Sequence, residues 1–177
     1  MTRMIFSGYG GQGVLVLGEI VATIAMKKGK HVTWMPSYGP EMRGGTANCA
    51  VIISDTIIGS PIVLSEIDIL VAMNQASVNK FVPLTTKGGL VMANSSLLVE
   101  KVDDSNVDLL EIDATNIAGE VGSLRVANMV MLAGFLKKRP DLFEMKDIVE
   151  VLEERFGGSR SKDLIPLNVK AIEAGMK

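Results

Sequence analysis

Apolar residues in this chain fall into short unbroken runs that alternate with longer stretches at helical spacing. Met4-Ile5-Phe6 is the first short run and predicts a strand over residues 3–7. Residues 12–29 follow as a helix, with Leu15, Gly18, Ile20, Val21, Ile24 and Ala25 near helical spacing. Lys27-Lys28-Gly29 gives it a basic end and a glycine stop. His31 to Pro36 reads as a second strand. A strand, a helix and a strand of this size predict a Rossmann-like unit, a parallel pair joined by a right-handed crossover.

The pattern then changes. Ser37 to Gly45 is polar and glycine-rich. Thr46 to Ser54 reads as a strand, and Asp55-Thr56 would turn it into a hairpin with Ile57-Ile58. Ile69 to Met73 is a fully apolar strand, followed by a short helix from Gln75 to Phe81. Lys87-Gly88-Gly89 turns the chain into a strand from Leu90 to Ala93, and Val107 to Ile112 forms one more. After Asp113, which suits an N-cap, helices are expected over residues 114–121, 126–137, 145–155 and 162–174. The sequence has no repeat, low-complexity tract or linker. A single α/β domain is expected, a three-layer α/β/α sandwich on a mixed, largely parallel sheet, with the C-terminal helices covering that sheet.

Composition narrows the function. The 177 residues suffice for one real core. The formal charge is −2 and basic residues are not clustered, so nucleic acid is not an expected partner. Mean hydropathy is +0.31, and 47% of residues are hydrophobic while only 5% are aromatic. This aliphatic excess fits strands buried on both faces, with some apolar surface covered by another subunit. The isolated chain is therefore expected to self-associate. No apolar run is long enough to cross a membrane, and Met1-Thr2-Arg3 leads directly into a strand rather than a signal peptide. A cytoplasmic location is the expectation.

The candidate chemistry lies in two loops. Gly8, Gly10 and Gly13 satisfy G-x-G-x-x-G within Gly8-Tyr9-Gly10-Gly11-Gln12-Gly13, between the first strand and the first helix. Such a loop can cradle an anion at the helix N-terminus, admit a second protein's backbone, or simply allow close helix–strand packing. A dinucleotide site also needs an acid at the end of the second strand. That strand ends Thr33-Trp34-Met35-Pro36, and Glu41 lies too far into the next loop for the role. The second loop is Ser37-Tyr38-Gly39-Pro40-Glu41-Met42-Arg43-Gly44-Gly45. In a sheet that is parallel here, both loops lie at one strand-end edge. Arg43 is the stronger candidate for an anion contact, since a guanidinium grips carboxylate or phosphate through two bonds.

Other chemistry is thin. Cys49 is the single cysteine and His31 the single histidine. A cluster held by four thiolates and an all-protein zinc site are both unsupported. Cys49, mid-strand between small residues, reads as a buried apolar side chain, and His31 as a structural one. No carboxylate cluster suggests a divalent metal. The chain shows recognition loops without a self-contained catalytic machine.

Taken together, Gly8 to Val14 and Ser37 to Gly45 closely resemble the gamma subunit of 2-oxoacid:ferredoxin oxidoreductases, an internal domain in single-chain pyruvate enzymes. The likeness extends over nearly the whole chain, including Asn128-Met129 at the start of a later helix. The resemblance implies an α/β/α fold and a share in oxidative decarboxylation of a 2-oxoacid to acyl-coenzyme A and CO2, with ferredoxin reduced. It implies that thiamine diphosphate and magnesium sit on alpha and beta subunits. The 4Fe–4S clusters would sit on the beta subunit or a small ferredoxin-like delta subunit. None of these cofactors, nor coenzyme A, is expected to be held by this chain alone, and the chain alone should be inactive. The site residues it implies, as contacts to cofactor or subunit, are Gly8, Gly10, Gly11, Gln12, Gly13, Ser37, Tyr38, Gly39, Pro40, Glu41, Arg43, Gly44 and Gly45. The form Pro40 to Cys49 looks most like 2-oxoglutarate enzymes, with branched-chain and pyruvate enzymes as alternatives. A purely structural docking subunit and an independent nucleotide-binding protein are the competing classes.

Overall fold

The computed structural model describes residues 1–38, 45–158 and 164–177. Along the chain these form β1 (Thr2–Tyr9), α1 (Val14–Lys27), β2 (His31–Tyr38), β3 (Thr46–Ser54), β4 (Ile67–Ala72) and α2 (Gln75–Phe81). Then come β5 (Thr85–Asn94), β6 (Asp108–Ile112), α3 (Ala114–Val121), α4 (Ala127–Lys138), α5 (Met145–Phe156) and α6 (Leu164–Gly175). The strands make one six-stranded sheet in the order β2-β3-β1-β4-β5-β6. β1, β4, β5 and β6 are parallel, and β3 runs antiparallel to both β1 and β2.

The sheet is therefore mixed and largely parallel, as the pattern predicts, but its first unit differs. β1 and β2 run the same way without touching, because β3 lies between them. Burial explains the insertion. Ala47-Asn48-Cys49-Ala50-Val51-Ile52-Ile53 is small or apolar on both faces and needs a neighbour on each side. β2 suits the edge: Trp34 and Met35 are 39% and 44% exposed, and Pro36 lacks a backbone N–H. The expected hairpin at Asp55-Thr56 is absent for the same reason. Both edges of β3 are occupied, so Ile57-Ile58 has no strand to join, and Ile57 stays 81% exposed. Lys87-Gly88-Gly89 lies inside β5, at an irregularity in its pairing with β4, rather than in a turn before it.

Two cores flank the sheet. On one face Met4, Phe6, Cys49, Val51, Ile69 and Val71 join residues of α1, α3, α4, α5 and α6. Every residue of α4 from Ala127 to Phe135 is buried, which fits a segment that is apolar but for Asn128. Phe135 stacks on Phe6 with ring centres 6.0 Å apart and meets Phe143 at 5.3 Å. On the other face Ile5, Ala50, Leu70 and Val91 pack with Val78 and Phe81 of α2 and with Val102. The second layer is thinner, since only one short helix covers it. No helix among the described residues is long and apolar enough to cross a membrane.

Candidate functional site

The C-terminal ends of the parallel strands form a rim, and the first glycine loop stands on it between β1 and α1. Gly8 still belongs to β1, where a Cβ would come within 2.7 Å of Gln12 Oε1 and 2.9 Å of Val14 Cγ1. Gly11 and Gly13 have φ of 102° and 73°, values that disfavour any residue with a side chain. Gly13 is the N-cap of α1 and gives it no side-chain cap, so the helix starts at Val14 rather than at Gln12. Asn128, at the start of α4, donates from Nδ2 to the Gly13 carbonyl at 3.2 Å. A Cβ on Gly13 would lie 2.5 Å from that same nitrogen.

Gln12 is the loop's one polar anchor. Its Oε1 accepts from the Tyr9 N–H at 2.6 Å and from Asn74 Nδ2 at 3.0 Å. Its Nε2 donates to the Met73 carbonyl at 3.3 Å. Asn74 in turn caps α2, accepting from the Ser77 N–H and hydroxyl, each at 2.9 Å. Ser7 donates to the Ser77 hydroxyl at 2.9 Å. Asn94, at the end of β5, reaches the same Met73 carbonyl at 3.3 Å and donates to Thr115 of α3 at 2.9 Å. Ser7, Asn74, Ser77 and Asn94 are all buried. Such a saturated network fixes the rim, because a buried polar group left unpaired would cost about 1–3 kcal/mol.

The two glycine loops meet. The Gly10 N–H donates to the Gly45 carbonyl at 2.8 Å. Ser37 and Tyr38 end β2, and Tyr9 and Tyr38 face Thr46 and Ala47 in the two β3 pairings. The described ends of the second loop, Ser37-Tyr38 and Gly45, therefore stand at the same strand-end edge as the first loop. Gly39, Pro40, Glu41, Arg43 and Gly44 lie outside the described residues.

This geometry does not suit a dinucleotide. The strand after α1 is not adjacent to β1, so its end is displaced by one strand from the glycine loop. The N–H groups of Tyr9, Gly10 and Gln12 are already taken, by Gln12, Gly45 and Tyr9. The notch beside the loop, between Asn48, Asn74 and Lys80, holds only about 20 Å³, far below a small-molecule pocket. A larger cavity of about 520 Å³, lined by Val78, Val82, Lys87, Lys101 and Val107, lies away from the glycine loops.

Cys49 is fully buried, with Sγ 3.6 Å from the Val14 carbonyl. Burial pushes its thiol up to about 12, so it stays protonated and unreactive at neutral pH. Its Sγ would lie 2.4 Å from a Cβ on Gly18, so Gly18 serves packing. His31 is exposed at the start of β2. Asp113 occupies the N-cap position of α3 without capping it. Ser96 does that work in its place, accepting from the N–H groups of Thr115 and Asn116 at 3.0 and 3.3 Å. Asp113 instead receives the Ser96 hydroxyl and the Asn116 amide. The network of Asn74, Ser77, Asn94 and Thr115 escaped sequence reasoning, although an asparagine directly after an apolar strand marks two of its members.

Comparison with known proteins agrees with this geometry. Residues 3–177 match the family described as pyruvate ferredoxin/flavodoxin oxidoreductase. The ketoisovalerate oxidoreductase subunit VorA of Methanothermobacter thermautotrophicus is 35% identical over 98% of this chain. This chain spans only 35% of the length of VorA. The 2-oxoglutarate synthase subunit KorC of Methanocaldococcus jannaschii is 34% identical over 90% of this chain and 86% of its own. The crystal structure of a keto/oxoacid ferredoxin oxidoreductase gamma subunit from Geobacter sulfurreducens superposes with a TM-score of 0.81. That pair is 30% identical and covers 99% of this chain and 96% of the other. With residues 3–177 matched, this chain belongs to the pyruvate ferredoxin/flavodoxin oxidoreductase family.

Proposed function

We propose that this chain is the gamma subunit of a 2-oxoacid:ferredoxin oxidoreductase and works only as part of that complex. The observation that carries the reading is the Gly10–Gly45 bond, which joins the first glycine loop to the foot of the second at the strand-end edge of the sheet. A surface built of small residues admits another chain closely. The decarboxylation of the 2-oxoacid, the electron transfer to ferredoxin and the transfer of the acyl group to coenzyme A belong to the assembled enzyme. Thiamine diphosphate, magnesium and 4Fe–4S clusters are assigned to alpha, beta and ferredoxin-like delta partners in the cytoplasm. This chain's own cysteine is buried and protonated, so it offers no thiolate to a cluster.

The substrate is a 2-oxoacid. The Pro40 to Cys49 sequence favours 2-oxoglutarate. The nearly equal identity to VorA and KorC gives a branched-chain 2-oxoacid a specific claim as well. Choice between them rests with the partner subunits. Exposed Ile57, Leu64, Leu124 and Val99 supply apolar surface for partners, and for self-association of the isolated chain.

Arg43 tests the second loop. Arg43→Ala should leave the stability of the isolated chain nearly unchanged, within about 0.5 kcal/mol, the expectation for a charge in a polar, glycine-rich stretch. In the complex, removing one partner of a desolvated charge pair loses about 2–5 kcal/mol. Complex yield or specific activity should therefore fall while the melting curve of the subunit stays put. Normal melting with a wild-type complex would reduce the loop to a solvated turn.

A further inference from the structure

Between Gly10 and Gly13 only Gln12 has a side chain, and that side chain leaves the loop to grip a different element. Its Oε1 holds the Tyr9 N–H at 2.6 Å while Asn74 Nδ2 holds the same oxygen at 3.0 Å. Asn74 is 3% exposed and is itself fixed to α2 through Ser77. The next N–H along from Tyr9, that of Gly10, carries the bond to Gly45 at the foot of the second loop. The Gln12 backbone N–H closes the turn on the Tyr9 carbonyl at 3.0 Å. A stretch with glycines at 10, 11 and 13 has wide backbone freedom, so something outside it must choose its conformation.

We infer that Gln12 is a positioning residue for the proposed reaction: its carboxamide locks Tyr9-Gly10 to the β4–α2 corner, and the Gly10–Gly45 bond thereby sets the foot of the second loop on the rim. The inference rests on the gamma-subunit reading for its functional half and on the geometry alone for its structural half. It separates the two loops by role. The first holds Gly45, the described end of the second. The two bonds that hold Tyr9 in place both use the oxygen of Gln12 as acceptor, and the amide nitrogen reaches only Met73. A carboxylate at this position keeps the acceptor but loses the donor and sets its second oxygen against the Met73 carbonyl, whereas a methyl group keeps neither.

The test compares Gln12→Ala and Gln12→Glu, first in the full isolated chain and then in the complex with its partner subunits. In the isolated chain, amide hydrogen exchange is read at Gly10 against core amides of β4. Gln12→Ala should speed exchange at Gly10 about tenfold and leave the β4 amides unchanged, since it frees local structure without unfolding the core. Gln12→Glu should protect the Gly10 amide better than Gln12→Ala, though less than wild type, because it keeps the acceptor for Tyr9 and loses the donor to Met73. In the complex, Gln12→Ala should lower turnover and Gln12→Glu should recover part of it. Unchanged exchange at Gly10 in Gln12→Ala overturns the inference, as does exchange in Gln12→Glu as fast as in Gln12→Ala. Raised exchange with wild-type turnover overturns its functional half. Failure of the wild-type chain to join any complex defeats the gamma-subunit reading and leaves the exchange result to decide the positioning role.

Discussion

Phe135→Ala should remove about 3–5 kcal/mol of stability, the largest loss expected from one substitution in this chain. Phe135 is fully buried in a helix buried on all sides. Its ring stacks at 22° on Phe6 of β1 and tilts at 36° against Phe143, so it ties the sheet to the helical layer and to the segment before α5. Alanine leaves a cavity between three elements that cannot collapse together, because the sheet is held by its own ladder. Domains of this size lie about 5–15 kcal/mol below the unfolded state, so the variant should be near its limit. Thermal melting should fall by roughly 6–20 °C, at about 2–4 °C per kcal/mol. A loss under about 1 kcal/mol would mean that the aromatic stack is not the joint between layers.

Gly13→Ala should be the most damaging change in the loops. The residue has φ of 73°, where a Cβ costs roughly 1–2 kcal/mol, and its Cβ would press on Asn128 at 2.5 Å. Gly29 gives the control, with φ of 76° and open space around it, so Gly29→Ala carries the backbone strain alone. The difference between the two variants therefore measures the clash with Asn128. Asn128→Ala relieves that clash and forfeits the bond to the Gly13 carbonyl. In the double variant the effects should be strongly non-additive, with Gly13→Ala costing less once Asn128 is gone. Additive losses in urea titrations would show that Asn128 is not what opposes a side chain at Gly13.

The sequence carried most of the helical layer because local rules suffice there. The helices at Gln75–Phe81 and Ala114–Val121 stand where they are expected, since apolar spacing is local. The strand pairing was less legible. Whether β3 inserts beside β1 depends on which strand has two faces to bury, a comparison among three segments that no single window contains. The two glycine loops were legible as a pair, and β1 and β2 ending at one edge brings them together as expected. Their mutual bond was not legible, because a backbone contact between Gly10 and Gly45 leaves no side-chain signature. Likewise, α3 borrows its cap from Ser96, far along the chain, where local capping rules pointed to Asp113.

The most direct measurement of the subunit reading is viologen-dye reduction with coenzyme A, thiamine diphosphate and magnesium, using 2-oxoglutarate, 3-methyl-2-oxobutanoate and pyruvate in turn. Three samples are compared: this chain alone, its partner subunits alone, and the two combined. The account predicts no turnover by the chain alone, little by the partners alone, and full activity on one of the 2-oxoacids when they are combined. Turnover by the isolated chain, or full activity of the partners without it, would contradict the account.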